Sequence, residues 1–284
     1  MGFTINRLSV SDRCKNNAGI LVLVISVILF IYSCEDQPVE REPFTAPAPS
    51  ATADSWTEPA GYHLAWSDEF DGPDIDLSNW NYETEATGWD PSRNGEWQRY
   101  TDNGTGGGNG GYTSARMVTQ GKHSWQYGII AACMQLPYGK GIWPAFWMMG
   151  VAGAWPANGE IDIMEMIGGE GNPGGDYDNI TRAALHWDNS GHQSVGGTHL
   201  MPDKLAADWH YYICEWTATS ITIKIDDITV FSQDITSSQF DEFRQPAYIL
   251  LNLAIGGDWP GPPDSNTVFL QYMYIDWVRV YQPD

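Results

Sequence analysis

Three acidic residues interrupt the apolar run Gly159-Glu160-Ile161-Asp162-Ile163-Met164-Glu165-Met166-Ile167-Gly168. A carboxylate in apolar surroundings is costly unless it is paired or put to use. The run reads as a buried strand with a glycine at each end. Strand side chains alternate faces, which sets Glu160 and Asp162 together and Glu165, an odd number of residues further on, opposite them. One extra residue in a β-bulge near Ile163-Met164 restores the phase and turns all three to one side. Two glutamates with an aspartate between them, projecting into one cleft, suit acid/base and nucleophilic work on a glycosidic bond. The structural alternative is an edge strand with a solvated acidic face.

Aromatic residues stand close by. Trp143-Pro144-Ala145-Phe146-Trp147 precedes the acidic strand, and Trp155-Pro156 lies between the two. A neighbouring strand of the same sheet would set indole faces beside the carboxylates. Sugar rings offer apolar C–H faces to indoles and hydroxyls to polar groups, so the pairing suits a saccharide cleft. Phe146 reads as core, while Trp143 and Trp147 fit either core or cleft.

The elements needed to hold such a site are strands. Aromatics make up 13% of the 284 residues, with 30 Gly and 17 Pro, a mixture that favours many short strands joined by turns. Strands are expected over His63–Phe70, Tyr112–Thr119, Ser124–Leu136, Ile142–Met149, Ala183–Trp187, His210–Thr217, Ile221–Ile225, Thr229–Phe231, Tyr248–Ile255 and Tyr272–Tyr281. Asp226-Asp227 between two β-branched runs reads as a hairpin turn, and residues 236–244 as a short helix. The glycine-rich stretch 102–111 has no Lys-Ser/Thr after it, so it is not a phosphate loop. About twelve strands without crossover helices give an all-β class, two packed antiparallel sheets.

The ends and the charge bound the setting. Arg7, Arg13 and Lys15 precede an apolar run, Ile20 to Ile31, which is too short for a membrane span and ends at Ser33-Cys34. Residues 1–34 therefore read as a lipoprotein-type signal peptide, cleaved before a lipidated Cys34, with an uncleaved signal anchor as the alternative. Residues 35–58 read as a flexible linker and 59–284 as the catalytic domain. The formal net charge is −22. That repels nucleic acid and disfavours a heavily sulfated polymer, leaving a neutral polysaccharide as the better partner. Cys133 and Cys214 read as two buried thiols, with a disulfide as the alternative.

Gly159 to Glu165 resembles the catalytic signature of glycoside hydrolase family 16, on its laminarinase side. Trp66-Ser67-Asp68-Glu69-Phe70, Tyr112 to Arg116, Gly141 to Trp147, Leu251 to Gly261 and Ile275 to Tyr281 extend the resemblance over about 60–284. It implies a β-jelly-roll, concanavalin-like sandwich with an open concave cleft, hydrolysing with retention. It implies Glu160 as nucleophile, Glu165 as acid/base and Asp162 between them. Trp143, Trp147, Arg116, His186 and Trp259 are the implied substrate-binding residues, with Asn81 and Glu96 at the cleft edge. The implied substrate is β-1,3-glucan, with mixed-linkage β-1,3/1,4-glucan as a further candidate. The alternatives are a β-agarase-like galactan hydrolase and a surface glycan-binding jelly roll with weak or no catalysis. A monomer, anchored by its lipid at a bacterial outer membrane or cell surface, is expected, and no cofactor for catalysis. Many members of the family hold a structural calcium, and Glu69 and Asp276 match two of its positions. The chain departs from the family just after Tyr100-Thr101, where it is shorter, so the third calcium oxygen and the neighbouring sheet edge are both in question.

Overall fold

The computed structural model describes residues 3–5, 56–90, 92–102, 108, 111–171 and 177–284. In chain order the strands are β1 (Phe3–Ile5), β2 (Tyr62–Asp68), β3 (Asn81–Tyr82), β4 (Arg99–Tyr100), β5 (Thr113–Ser114), β6 (Arg116–Val118), β7 (Gly128–Gln135) and β8 (Ile142–Gly150). They continue as β9 (Glu160–Glu165), β10 (Ile180–Asp188), β11 (His192–Leu200), β12 (His210–Trp216), β13 (Ser220–Ile225), β14 (Ile228–Asp234), β15 (Ala247–Ile255) and β16 (Met273–Pro283).

Two antiparallel sheets form a sandwich. One runs β14-β13-β12-β7-β16, with β1 and β2 both paired to β16; the other runs β11-β10-β9-β8-β15-β6-β3. Period-two alternation explains the core between them. From β7, Ile130, Ala132 and Met134 point inward and meet Phe146 and Met148 of β8, Ile161 of β9 and Ile249 and Leu251 of β15. The alternate residues of β7, Ile129, Ala131 and Cys133, pack outside under Trp209, Tyr211 and Trp277. Phe146 is core, as its sequence suggested. Cys133 and Cys214 are both buried and free. Cys133 pairs with Tyr211 and Cys214 with Ile130 in the β7–β12 ladder, an odd offset that sends the two thiols to opposite faces of one sheet.

Several details depart from expectation. β11 runs nine residues through His192–Leu200, where no strand was expected. It is an edge strand, mostly exposed, with Gly196-Gly197 in place of apolar alternation. The helix expected over 236–244 is a 3-10 segment, Ser238–Arg244. The turn at Asp226-Asp227 joins β13 to β14 as expected, with Asp226 at φ +52°. Residues 1–55, apart from Phe3–Ile5, lie outside the described residues, and with them the expected signal peptide, the lipidation site and most of the linker. The linker's last residues are part of the fold: Trp56 donates from Nε1 to the Tyr281 hydroxyl at 2.8 Å, and its ring lies 5.2 Å from those of Tyr211 and Trp277. Trp56 thus packs against the sandwich although it precedes residue 59.

Candidate active site

The acidic strand is fixed at both ends by residues without side chains. Gly159 adopts φ +74°, and a Cβ there would lie 2.9 Å from that of Glu242. At Gly168 a Cβ would meet the carbonyl oxygen of Gly139 at 1.9 Å. Between them the register shifts. Arg182 pairs with Glu165 and Ala184 with Asp162 on the β10 side; Phe146 pairs with Met164 and Trp147 with Asp162 on the β8 side. Three residues of β9 thus span two of β10, which is the bulge expected at Ile163-Met164. Ile161, Ile163 and Met164 enter the core, while Glu160, Asp162 and Glu165 line one cleft.

The cleft has two lobes, of about 700 Å³ and about 610 Å³. The first lies over β8, β15 and β6, with Trp89, Arg116, Trp147, Tyr248 and Asn252 among its walls. The second lies over β10 and β11, with Arg182, His186, Gly197 and Trp259. Both lobes are lined by Asn94, Trp143, Trp155, Glu160, Asp162 and Glu165. The carboxylates sit where the lobes meet, so an elongated ligand can cross them in both directions.

Polar contacts orient each acid. Trp143 Nε1 donates to Glu165 Oε1 at 3.0 Å. Trp155 donates a side-chain hydrogen bond to Glu160, which also shares one with Asp162. His186 stands opposite Glu160 in the ladder, its Nε2 3.2 Å from Asp162 Oδ2. Its Nδ1 lies 2.8 Å from His192 Nε2. Burial is the largest cause of shift for all three carboxyls and raises each above the ordinary range. Glu160 is pushed up to about 8, with the Asp162 charge as the next cause. Glu165 is pushed up to about 7, with the Glu160 charge next. Asp162 is raised as well, by burial and then by Glu165. The two indole donors work in the opposite direction, Trp155 on Glu160 and Trp143 on Glu165. The three acids titrate as one coupled unit that retains a proton near neutrality.

The five residues expected to bind substrate all line the cleft. Trp259 stands edge-on to Trp143, ring centres 5.3 Å apart, lies under the Arg182 guanidinium at 5.6 Å, and remains 45% exposed. Arg116 pairs with Glu83 and lies 4.8 Å over the Trp147 ring. Glu96 also lines the cleft. Asn81 lies elsewhere, on edge strand β3, donating to the Gln120 carbonyl at 2.8 Å. Trp155, Arg182 and His192 are site residues that sequence reasoning passed over. Trp155 reads as a connector and His192 falls on the strand that went unread. Arg182 lies one residue before the apolar run Ala183–Trp187 that marked β10.

The shortened segment still supports the cleft. Arg99 and Tyr100 pair in parallel with Thr113 and Ser114. The buried Tyr100 hydroxyl accepts from Asn252 Nδ2 at 3.1 Å, and Asn252 Oδ1 accepts from Trp147 Nε1 at 2.7 Å. The calcium expectation fares differently. Glu69 accepts from Arg279 Nε at 2.9 Å and Nη2 at 2.7 Å, so both its oxygens already serve a guanidinium. That pairing leaves the calcium expectation without support at Glu69.

Comparison with known proteins follows this geometry. A model of glycosyl hydrolases family 16 matches residues 79–279. Over 256 residues the chain is 34% identical to a beta-glucanase of Rhodothermus marinus, covering 78% of this chain and 85% of that protein. Among solved structures, the catalytic domain of an endo-1,3-beta-glucanase (laminarinase) from Thermotoga petrophila is 35% identical with a TM-score of 0.69, covering 78% of this chain and 98% of that one. The laminarinase catalytic domain from Thermotoga maritima is 34% identical with a TM-score of 0.67, covering 78% of this chain and 99% of that one.

Proposed function

The chain belongs to glycosyl hydrolases family 16, and from that premise we propose that it is a retaining endo-hydrolase of β-1,3-glucan, with Glu160 as nucleophile and Glu165 as acid/base. Mixed-linkage β-1,3/1,4-glucan is the further candidate substrate. The observation that carries this reading is the position of the three acids at the junction of two open lobes. A chain lying across both lobes is cut internally rather than from an end.

In the first step the Glu160 carboxylate attacks the anomeric carbon while Glu165 gives its proton to the departing glycosidic oxygen. A glycosyl ester on Glu160 results, and Glu165 is left ionised. In the second step Glu165 takes a proton from water, the water oxygen bonds to the anomeric carbon, and the ester bond breaks to regenerate the Glu160 carboxylate. Double displacement of this kind returns the original anomeric configuration. Asp162, hydrogen-bonded to Glu160, orients the nucleophile, and the shared negative charge of the cluster keeps Glu165 protonated before attack. No cofactor takes part.

Trp143, Trp147 and Trp259 supply stacking faces, while Arg116 and His186 supply polar partners for hydroxyls. Export with a lipid anchor on Cys34 is part of the same proposal, supported by the basic, apolar and Ser33-Cys34 pattern of the leader. The test is release of reducing ends from laminarin, lichenan and agarose, set beside binding to each. Laminarin should be cut fastest. Glu160→Ser should abolish hydrolysis and leave laminarin binding within a few-fold of the parent. Near-normal hydrolysis by that variant, or binding without hydrolysis by the parent, overturns the reading.

A further inference from the structure

We propose that the junction of the cleft is also a binding site for a divalent transition ion of the Zn²⁺ type, held by Glu160, Asp162 and His186 in competition with glycan. One ligating atom from each of the three lies within 4.8 Å of the others. They are the only such group among the described residues. The strand ladder brings them together, with His186 opposite Glu160 and Ala184 opposite Asp162.

Two observations mark this group as a site rather than a charged patch. Asp162 is 3% exposed, and its Oδ2 has no hydrogen-bond partner. That oxygen nevertheless lies 3.2 Å from His186 Nε2, so the two atoms are close without being bonded through a hydrogen. Ligands at about 2.0–2.2 Å from one zinc ion stand roughly 3.3–3.6 Å apart in a tetrahedron. The Asp162–His186 pair at 3.2 Å is close to that spacing, and a ligand atom of Glu160 lies within 4.8 Å of both.

The second feature is His192. Its Nε2 lies 2.8 Å from His186 Nδ1, with the rings coplanar to within 16° and centroids 5.0 Å apart. The two imidazoles thus meet end to end through an in-plane hydrogen bond. Trp155 packs on the outer ring at 4.6 Å. When His186 donates from Nδ1 to His192, its Nε2 presents a lone pair to the cleft. That is the usual arrangement of a ligating histidine, whose second nitrogen is tied to an outer partner.

The donor set selects among ions. Carboxylates alone suit calcium and magnesium, whereas an added imidazole favours zinc, copper or nickel. An ion here would occupy the space between Glu160, Asp162 and His186 where the three side chains converge. The charged and titratable groups around the three ligands are Glu165 on β9, Arg182 on β10 and His192 on β11. β8 presents the uncharged Ala145, Trp147 and Met149 to the same strand. With the ion in place Glu160 is no longer free to attack and the floor of the cleft is filled. The inhibitory half of the inference rests on the catalytic reading above, and the binding half does not.

The experiment is calorimetric titration of Zn²⁺ into the tag-free protein after chelator treatment. One site is expected, with affinity for Ca²⁺ or Mg²⁺ at least a hundredfold lower. Glu160→Gln and His186→Gln should each remove the site, and His192→Ala should weaken it about 10–100-fold. Folding of each variant is checked by its melting temperature. A laminarin oligosaccharide should raise the apparent Kd for Zn²⁺ in proportion to its own saturation. Unchanged Zn²⁺ binding in folded Glu160→Gln or His186→Gln protein overturns the site, as does absence of binding at millimolar Zn²⁺. Binding through these ligands without loss of hydrolysis upholds the site and removes Glu160 from the catalytic role instead.

Discussion

Trp143 Nε1 donates to Glu165 Oε1 at 3.0 Å, so the carboxyl proposed as acid/base is held by an indole that favours its ionised form. The contact opposes the burial that raises Glu165. Its value lies in placement: Trp143 fixes one oxygen and leaves the other for the glycosidic bond. Trp259, edge-on to Trp143, supports that indole from the solvent side.

Trp143→Phe should therefore move the alkaline limb of the kcat/KM pH profile upward. The lost donor had been lowering the Glu165 pKa, so without it the proton is held to higher pH. Activity at the optimum should fall about tenfold, the worth of one hydrogen bond to a charged group at roughly 1.5 kcal/mol. An unmoved limb would show that Glu165 is not the group titrating there.

Asp162→Asn should shift the pH profile the other way. Asp162 raises Glu160 through its charge and its hydrogen bond, so the neutral amide lets Glu160 ionise at lower pH. In the parent, the alkaline limb should lie near neutrality, given Glu165 at about 7, while the raised Glu160 governs the acid limb. The variant's acid limb should move to lower pH, with kcat reduced on the order of a hundredfold, as for a misplaced nucleophile. Stopped laminarin assays across pH 4–9 read both effects.

How much of this was legible without coordinates varies by residue. The bulge was legible because Glu160, Asp162 and Glu165 break the strand period inside an apolar run, and only an inserted residue reconciles them. Phe146 reads as core and lies there, whereas Trp147 reads as core or cleft and only the ladder turns it toward the cleft. His192 was not legible. β11 lies at a sheet edge and covers its inner face with Val195 and the close-packed Gly197 rather than with a row of apolar side chains, so its sequence carries little apolar alternation and Gly196-Gly197 reads as loop. The Glu69–Arg279 pair was hidden for another reason: a carboxylate at a motif position says nothing of whether a guanidinium from β16 reaches it first. Trp56 was missed because a single aromatic at the end of a Pro/Ala/Ser/Thr stretch carries no period, yet it docks on Tyr211 and Trp277.

Replacing Glu165 by Gln should stabilise the fold in alkali while abolishing turnover. The carboxyl rises from an ordinary 4.5 to about 7 on folding. Between those values the native state keeps a proton that the unfolded chain releases, so stability falls as pH rises through the window and stays lost above it. Gln has no proton to lose. Its melting temperature should match the parent's near pH 4 and exceed it by a few degrees at pH 8, for a gain of about 1–2 kcal/mol. Equal melting temperatures at pH 8 would show that burial does not strain this group.

Tyr100→Phe tests whether the short connection after β4 does the work of a longer one. The Tyr100 hydroxyl is the acceptor for Asn252 Nδ2, and Asn252 Oδ1 in turn accepts from the Trp147 indole. Removing the hydroxyl leaves a buried amide donor without a partner, which costs about 1–3 kcal/mol. Asn252 can recover a partner only by turning, and turning it releases Trp147 from its place in the first lobe. The expected result is a lower melting temperature together with a KM for laminarin raised several-fold, while kcat changes little because the carboxylates on β9 are untouched. Asn252→Ala should give the same KM effect, since it breaks the same chain one link nearer the cleft. A fall in kcat at constant KM would place the effect on the acidic strand instead. That outcome would mean that the Tyr100–Asn252–Trp147 path supports the sheet as a whole rather than the sugar-stacking wall.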